Sequence, residues 1–147
     1  MNGFFTYIKH MSKEQKICQL AIRRKQGTPL YEGNAKGFYL VPNGRRYWRA
    51  DPFVFSHNKS HYIFAEMFDW KNGKGVIGVA KLKGDRCGKF KVCLDLKHHL
   101  SYPCVFENHN GIFMIPECCS FGEINIYRCV NFPLNGKSIK PYIIVQQ

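Results

Sequence analysis

The sequence predicts an all-β fold made of short antiparallel strands, and three observations support that prediction. An internal repeat of about 50 residues covers the central and C-terminal parts of the chain. Runs rich in aromatic and β-branched residues alternate with polar turn segments such as SHNKS and WKNGKG. Helical periodicity is weak, although residues 8–24 are also compatible with a short helix.

The repeat becomes visible when residues 51–66 are aligned without a gap to residues 102–117. Identical or similar residues then coincide along the whole segment: Pro52 with Pro103, Val54 with Val105, Phe55 with Phe106, Tyr62 with Phe113, Phe64 with Ile115, and Glu66 with Glu117. The segment GVIGVAKL from Gly75 aligns with GEINIYRC from Gly122 after a shorter connection. Such length differences are tolerated in loops, so we expect two copies of one structural unit.

Each copy contains four predicted strands. In the first copy they are residues 53–55, 62–65, 76–82 and 90–94, and in the second copy residues 104–106, 112–115, 123–129 and 142–145. A proline begins the first strand of each copy in this interpretation. Two more strands, at residues 19–24 and 37–42, precede the repeat.

Four antiparallel strands that recur at this period are typical of a β-propeller blade. We therefore predict an incomplete β-propeller in a single partial domain, with N-terminal strands in residues 1–48 and blades in residues 49–98 and 99–147. Because a propeller closes with roughly four to eight blades, the ring would need further blades from a longer polypeptide or self-association of copies.

Composition limits the partners and the compartment. The 147-residue chain is 45% hydrophobic, enough to bury one core, and its net charge of +12 favours an anionic partner such as a phosphate or an acidic glycan. No apolar run is long enough for a transmembrane segment and no secretory leader is evident, so we expect a cytoplasmic protein. Its seven cysteines, an odd number without framework spacing, are expected to be reduced.

Several segments resemble a known family. RADPFVF, GKGVIGVAKL, HLSYPCVFENHNGIFMIPE and the closing NFP resemble the N-terminal domain of glucosamine inositolphosphorylceramide transferases and its bacterial relatives, over about residues 38–133. That domain is in turn similar to the five-bladed propeller of glycoside hydrolase family 43. In those hydrolases an Asp at the start of an innermost strand serves as general base, and Asp51 matches that position.

The resemblance to the hydrolases is incomplete. Inverting glycoside hydrolysis requires a base and an acid on opposite sides of the sugar. Tyr102 stands where a second Asp is expected, and no later blade supplies a third acid. The resemblance therefore implies a sugar-recognition domain that serves glycan or glycolipid synthesis beside a transferase. The alternatives are a family 43-like glycosidase or transferase, in which Asp51 is the candidate general base, and an inactive fragment.

Eight residues are predicted to bind a carbohydrate or sugar-phosphate ligand: Arg49, Asp51, Glu66, Trp70, His99, Ser101, Tyr102 and Glu117. Asp51 would accept hydrogen bonds from sugar hydroxyls, Tyr102 would stack or donate, and Arg49 would pair with a phosphate or carboxylate. Four of the eight have a structural alternative: Asp51 as a turn residue before proline, the two glutamates as solvated strand ends, and Trp70 as core.

Other chemistries are not favoured. The histidines and cysteines match no standard zinc spacing, and the sequence lacks a Walker A loop, a dinucleotide fingerprint and a nucleophilic-serine elbow, so we predict neither a metal nor a cofactor. Basic clusters that interleave with Tyr47 and Trp48 resemble a nucleic-acid surface. Because no nucleic-acid-binding motif accompanies them, nucleic acid is not the partner we predict.

Overall fold

The computed structural model describes residues 4–11, 17–24, 36–118, 124–133 and 140–143, and every regular element in these ranges is a β-strand. The prediction of an all-β fold class is therefore confirmed. The strands form three antiparallel sheets that follow one another along the chain.

The first sheet contains β1 (Phe4–Met11), β2 (Ile17–Arg24) and β3 (Tyr39–Leu40) in that order. The strand predicted at residues 19–24 is β2, and β3 lies within the strand predicted at 37–42. The alternative of a helix over residues 8–24 is wrong, because β1 pairs with β2 from Phe4 opposite Arg24 to Met11 opposite Ile17. Strand β1 was not predicted.

The middle sheet is a meander of β4 (Tyr47–His57), β5 (Ser60–Asp69) and β6 (Lys74–Lys83). Strand β6 also pairs with β7 (Arg86–Cys87) and with β8 (Lys91–Leu94). Strand β8 corresponds to the fourth predicted strand of the first repeat. The short strand β7 lies in the segment KGDRCG, for which the sequence predicted only a turn.

The third sheet has the order β9 (Ser101–Asn108), β10 (Gly111–Glu117), β11 (Asn125–Arg128) and β12 (Lys140–Ile143). It reproduces the register of the middle sheet, since Phe106 opposite Phe113 repeats Phe55 opposite Tyr62. Residues 123, 144 and 145 of the predicted strands lie outside the described residues.

Two apolar cores separate the three sheets, one on each face of the middle sheet. Along β5, Tyr62 and Phe64 point toward the third sheet, whereas Ile63, Ala65 and Met67 point toward the first. This alternation follows from the two-residue period of a strand. We call the side of each sheet that points toward the next sheet along the chain its forward face, and the opposite side its back face.

The first strand of each repeat differs from the prediction in where it begins. Strand β4 begins at Tyr47 and β9 begins at Ser101, so Pro52 and Pro103 lie inside strands rather than at their starts. Both strands are edge strands of their sheets, where a missing backbone N–H is tolerated. Each proline lies at a β-bulge of its strand, which is described below.

A buried aspartate organises the turn between β5 and β6. Asp69 accepts two hydrogen bonds from Arg46, at 3.0 Å from Nε and 2.6 Å from Nη2. It also accepts bonds from the backbone N–H of Lys71 and the side chain of Asn72. The Arg46 guanidinium and these donors lower the pKa of Asp69 to about 2. The guanidinium of Arg46 is therefore paired with Asp69 within the fold.

Candidate functional site

Two β-bulges at equivalent places in β4 and β9 create the candidate site. The pairing of β4 with β5 jumps from Ala50 opposite Glu66 to Phe53 opposite Phe64, so Asp51 and Pro52 oppose one residue. The pairing of β9 with β10 makes the same jump around Tyr102 and Pro103. A bulge of this kind turns a side chain out of the regular alternation of its strand.

Asp51 and Tyr102 adopt left-handed backbone conformations, with φ values of 49° and 43°. Such conformations are unfavourable for residues other than glycine, and they cost on the order of 1–3 kcal/mol each. Neither residue is a glycine or an asparagine, neither lies at the tip of a loop, and both precede a proline. Strain that recurs in both repeats is the kind of feature that marks functional positions.

Glu66 lies beside Asp51 in the interior of β5, not at a solvated strand end, and is only 5% exposed. Burial raises the pKa of Glu66 to about 8, and a shared hydrogen bond with Asp51 and the negative charges of Asp51 and Glu117 act in the same direction. The Glu66 carboxyl is therefore protonated at neutral pH. It presents a proton donor to Asp51, whose oxygens accept.

His99 contacts Glu66 from the opposite side in a defined tautomer. The backbone N–H of Gly75 donates to His99 Nδ1 at 3.0 Å, so that nitrogen carries a lone pair. The other ring nitrogen, Nε2, lies 3.3 Å from Glu66 Oε1. His99, Glu66 and Asp51 therefore lie next to one another, with Glu66 in contact with His99 and under the influence of Asp51.

Gly75 permits this arrangement because no side chain fits at its position. A Cβ atom there would lie 2.7 Å from Glu66 Oε1 and 3.0 Å from His99 Cε1, and it would also overlap the carbonyl oxygen of Leu100. The Leu100 N–H donates to the Gly75 carbonyl at 3.0 Å. Sequence analysis assigned this glycine to a hairpin turn and missed its role.

Tyr102 provides the open side of the site and is 62% exposed. The charge of Asp51 raises the pKa of the Tyr102 hydroxyl, with smaller effects from burial, Glu117 and a hydrogen bond to Asp51. The hydroxyl is therefore neutral and remains a donor. Asp51 thus faces one buried acid and one accessible phenol.

Cys18 in the first sheet lies within range of the charges of the same carboxyl groups. Burial raises the pKa of its thiol, and the charges of Asp51 and Glu66 raise it further. Nothing in the sequence around Cys18 pointed to this influence, because it depends on the packing of the first sheet on the middle sheet.

An aromatic group borders the site on the side of His99. Trp48 stacks on Phe68 with ring centroids 5.0 Å apart, and Trp70 meets Phe68 edge-on at 5.6 Å. Phe68 in turn lies 6.2 Å from the His99 ring. Trp70 remains 46% exposed, so the outer edge of this group faces solvent.

The structure brings five of the eight predicted site residues together: Asp51, Glu66, His99, Tyr102 and Glu117. Trp70 joins them through Phe68. Ser101 is buried opposite Glu117 in the β9–β10 ladder.

Arg49 makes its contacts elsewhere. Its Nη1 donates to the Pro42 carbonyl at 2.9 Å, and its guanidinium lies over the Phe90 ring at 4.7 Å. Burial lowers the pKa of Arg49. The pairing of Arg49 with a phosphate or carboxylate stays a prediction.

A separate, shallow cleft opens between the middle and third sheets. Its lining is apolar and includes Phe64, Val105, Met114, Tyr127 and Phe132. It does not contain the carboxyl groups of the site. Because the acid–base and hydrogen-bonding groups lie around Asp51, we place the candidate site there.

Within the described ranges, no group of three or more His, Cys, Asp or Glu side chains has a geometry that could hold a metal ion. The six described cysteines are free thiols. No helix that could cross a membrane occurs in the part of the chain that the structure describes.

A comparison with known protein families matches the part of the chain that contains both bulges. The family model described as "Glucosamine inositolphosphorylceramide transferase 1, N-terminal" matches residues 44–146. The chain belongs to this family. The family match includes both strained residues and both glutamates.

Individual relatives support the same assignment. Glucosamine inositolphosphorylceramide transferase 1 of Arabidopsis thaliana is 40% identical over 90 residues, which are 60% of this chain and 12% of the relative. The proteins of the same name from the indica and japonica subspecies of Oryza sativa are 37% identical over 87 residues, which are 58% of this chain and 12% of each relative. The chain thus matches about one eighth of the length of these relatives. No solved structure matches it significantly.

Proposed function

We propose that this chain is a sugar-recognition domain associated with glycolipid synthesis, and that its ligand binds at Asp51 and Tyr102. The observation that carries the proposal is the pair of equivalent bulges, which hold these two side chains at one site in strained conformations. The family relationship supports the association with glycolipid synthesis, since the relatives are named as glucosamine inositolphosphorylceramide transferases.

The hydrogen-bonding capacity of the site suits a polyhydroxylated ligand. Asp51 offers acceptor oxygens, exposed Tyr102 offers a donor, and the partly exposed ring of His99 lies beside buried Glu66. Sugar rings present alternating hydroxyl edges and apolar faces. The aromatic group around Trp70 supplies a surface for such a face next to the polar residues.

On the same basis we propose that the sheets have the propeller architecture that the family resemblance implies. The three consecutive antiparallel sheets, each packed on the next, are consistent with adjacent blades of a family 43-like propeller, and the site would lie near its axis. A cytoplasmic location and a relationship to bacterial proteins belong to this proposal as well.

One observation favours a catalytic alternative. Glu66, with a pKa of about 8 beside the Asp51 carboxylate, has the protonation state of a general acid next to a candidate base. However, Tyr102 stands at the position where those hydrolases carry a second Asp. The residues present therefore support binding better than hydrolysis.

Calorimetric titration tests the binding proposal. Glucosamine and inositol phosphate serve as probes, with maltose as an unrelated sugar. We expect saturable binding of at least one probe, a loss of at least tenfold in affinity for Asp51→Asn, and a smaller loss for Tyr102→Phe. Trp70→Ala should weaken binding without changing the fold. Equal affinity of Asp51→Asn and the unsubstituted chain would refute the assignment.

Turnover of aryl glycosides tests the alternative. Hydrolysis that disappears in both Asp51→Asn and Glu66→Gln would favour an enzyme. Saturable binding without turnover would favour the recognition domain, and neither activity in a folded protein would favour an inactive fragment.

A further inference from the structure

The end of β6 and the two short strands that follow it form a strongly basic surface. Residues 81–91, with the sequence KLKGDRCGKFK, contain five basic residues and a single acid. The acid, Asp85, is bound by Arg24 at 2.7 Å, so a sixth basic residue neutralises it. We call the five exposed basic residues of the segment, which have no acidic partner among the described residues, the basic edge: Lys81, Lys83, Arg86, Lys89 and Lys91.

The fold holds the backbone of the basic edge in a fixed shape. Leu82 pairs with Cys87 across the β6–β7 hairpin, and the N–H of Gly88 donates to the Lys81 carbonyl at 2.9 Å. The side chains of Leu82 and Phe90 are buried in the core between the first and middle sheets. The basic side chains of the segment are therefore held on the outer surface by an anchored backbone.

This arrangement of charges is unfavourable for the chain by itself. Lys83 stands directly opposite Arg86 in the β6–β7 ladder, and like charges at opposed positions destabilise a pair of strands. Lysine on an edge strand can block the pairing of one sheet with another. However, Lys81 and Lys83 belong to β6, which has β5 on one side and β7 and β8 on the other. Protection of an edge therefore does not account for them, whereas an anionic partner does.

The basic edge lies on the other side of the middle sheet from the candidate sugar site. The strand order is β4–β5–β6–β7, so Asp51 lies on one edge strand and Arg86 on the opposite one. Three strand spacings, roughly 14 Å, separate these two strands. A large anionic partner can therefore contact the basic edge while a sugar occupies the site at Asp51.

Two features favour a lipid bilayer over a nucleic acid as this partner. The one aromatic residue of the segment, Phe90, is only 7% exposed, so nucleic-acid bases have no ring on which to stack. Exposed apolar side chains also accompany the charges. Val92 directly follows the basic edge and is 37% exposed, and Leu40, next to the Tyr39 ring over which Arg86 lies, is 41% exposed. Basic residues beside exposed apolar ones suit the headgroup region of an anionic membrane.

We propose that the basic edge is a docking surface for an anionic lipid bilayer, whose headgroup phosphates and carboxylates its lysines and arginine contact. Each basic side chain near an anionic leaflet adds to the attraction, and salt screens that attraction over about 10 Å. The edge of the sheet that carries Asp51 is then left accessible. Docking does not require a sugar at Asp51, so failure of either proposal leaves the other intact.

Co-sedimentation of the full 147-residue chain with vesicles tests the proposal. The probes are vesicles of phosphatidylcholine alone and of phosphatidylcholine with about 30% phosphatidylserine, which makes the surface anionic. We expect the chain to bind only the anionic vesicles. Raising the salt concentration from about 0.05 M to about 0.5 M should weaken this binding about tenfold or more, because the contacts are electrostatic.

A pair of double variants separates the basic edge from the net charge. Lys83→Glu with Lys89→Glu should weaken vesicle binding about tenfold, and Lys83→Glu also places an acid opposite Arg86, which favours the fold. Lys59→Glu with Lys71→Glu is the matched control, because these lysines are exposed in the turns on either side of β5 and the net charge changes equally. The control should lose only about twofold.

Acetylation of lysines in the unsubstituted chain gives a readout that needs no substitution. Anionic vesicles should slow the acetylation of Lys83 and Lys89 about threefold or more and leave that of Lys59 and Lys71 unchanged. The proposal is overturned if the chain does not bind anionic vesicles, if both double variants lose affinity equally, or if all four lysines are protected alike. Binding of RNA in place of vesicles, lost in Lys83→Glu with Lys89→Glu, would assign the surface to nucleic acid instead.

Discussion

At the scale of single residues, two side chains are held where the backbone is unfavourable. Asp51 and Tyr102 have positive φ values, each before a proline in a β-bulge. A position that served only the turn would be occupied more favourably by glycine. The strain is therefore consistent with selection for the side chain itself.

Substitution of Asp51 separates strain from function. Asp51→Gly and Asp51→Ala both remove the carboxylate, but only glycine tolerates the positive φ without a steric cost. We expect Asp51→Gly to be about 1 kcal/mol more stable to urea than Asp51→Ala, and both to lose sugar binding. Equal stability of the two variants would show that the position is not strained.

The buried acid Glu66 predicts a pH dependence of stability. Its pKa rises from 4.5 in the unfolded chain to about 8 in the fold, so the folded state binds the extra proton between these values. The contribution to stability is fully present below about pH 4.5 and is lost as the pH rises through about 8. Glu66→Gln, which imitates the protonated acid, should remove this decline, on the order of a few kcal/mol.

Urea unfolding at several pH values between 5 and 8.5 measures this difference. Asp85→Asn is a suitable control, because Asp85 lies on the surface in an ion pair with Arg24. That variant should keep the decline of the unsubstituted chain. A decline of equal size in Glu66→Gln would assign it to other groups.

At the scale of elements, the site depends on the close contact between β6 and the segment that enters β9. Lys74 Nζ holds this segment by bonding Asp95 Oδ1 at 2.6 Å and the Leu96 carbonyl. Gly75 then bonds His99 and Leu100 through its own backbone. Asp69 holds the turn between β5 and β6 through its bonds to Lys71 and Asn72. The residues from this turn to Gly75 therefore position one side of the site.

Gly75→Ala should break this contact. Its methyl group would meet the Leu100 backbone, which cannot move as cheaply as a flexible side chain, so we expect a loss of about 1–3 kcal/mol in stability and loss of sugar binding. Gly44→Ala is the matched control, since nothing lies within 4 Å of a Cβ there. Thermal unfolding with a binding titration checks both variants, and a fully stable, binding Gly75→Ala would contradict the described contact.

At the scale of the whole molecule, the middle sheet is the centre of stability because both of its faces are buried. Ile77 on its forward face is 0% exposed, whereas Ile124, its equivalent in the repeat, is 65% exposed. The two isoleucines have the same place in the repeat. The third sheet covers Ile77, whereas no sheet within the described ranges covers Ile124.

Truncation of these two isoleucines therefore measures how much the covering sheet adds to the free energy of unfolding. Ile77→Ala should cost about 2–5 kcal/mol through lost burial and a residual cavity. Ile124→Ala should cost less than about 1 kcal/mol in the chain alone. Urea unfolding gives both values, and similar losses would mean that the face around Ile124 is already buried in the isolated chain.

The sequence alone was sufficient for the class of fold and for the register of the repeat, and it named residues that the structure places near one another. These features depend on alternation within strands and on turn residues, which are local properties. The repeat aligned Asp51 with Tyr102 and Glu66 with Glu117 correctly because each pair has the same local pattern. The family assignment was also available from the quoted motifs, and the comparison confirms it.

Only the tertiary structure decided how the site is assembled. Strands β4 and β9 were predicted to begin at proline, but their edge positions and bulges accommodate a residue without a backbone N–H. The roles of Gly75 and Cys18 and the displacement of Arg49 toward Phe90 depend on contacts between distant segments. A local pattern contains no information about which distant groups will exclude water from a carboxyl, and that exclusion sets the pKa of Glu66.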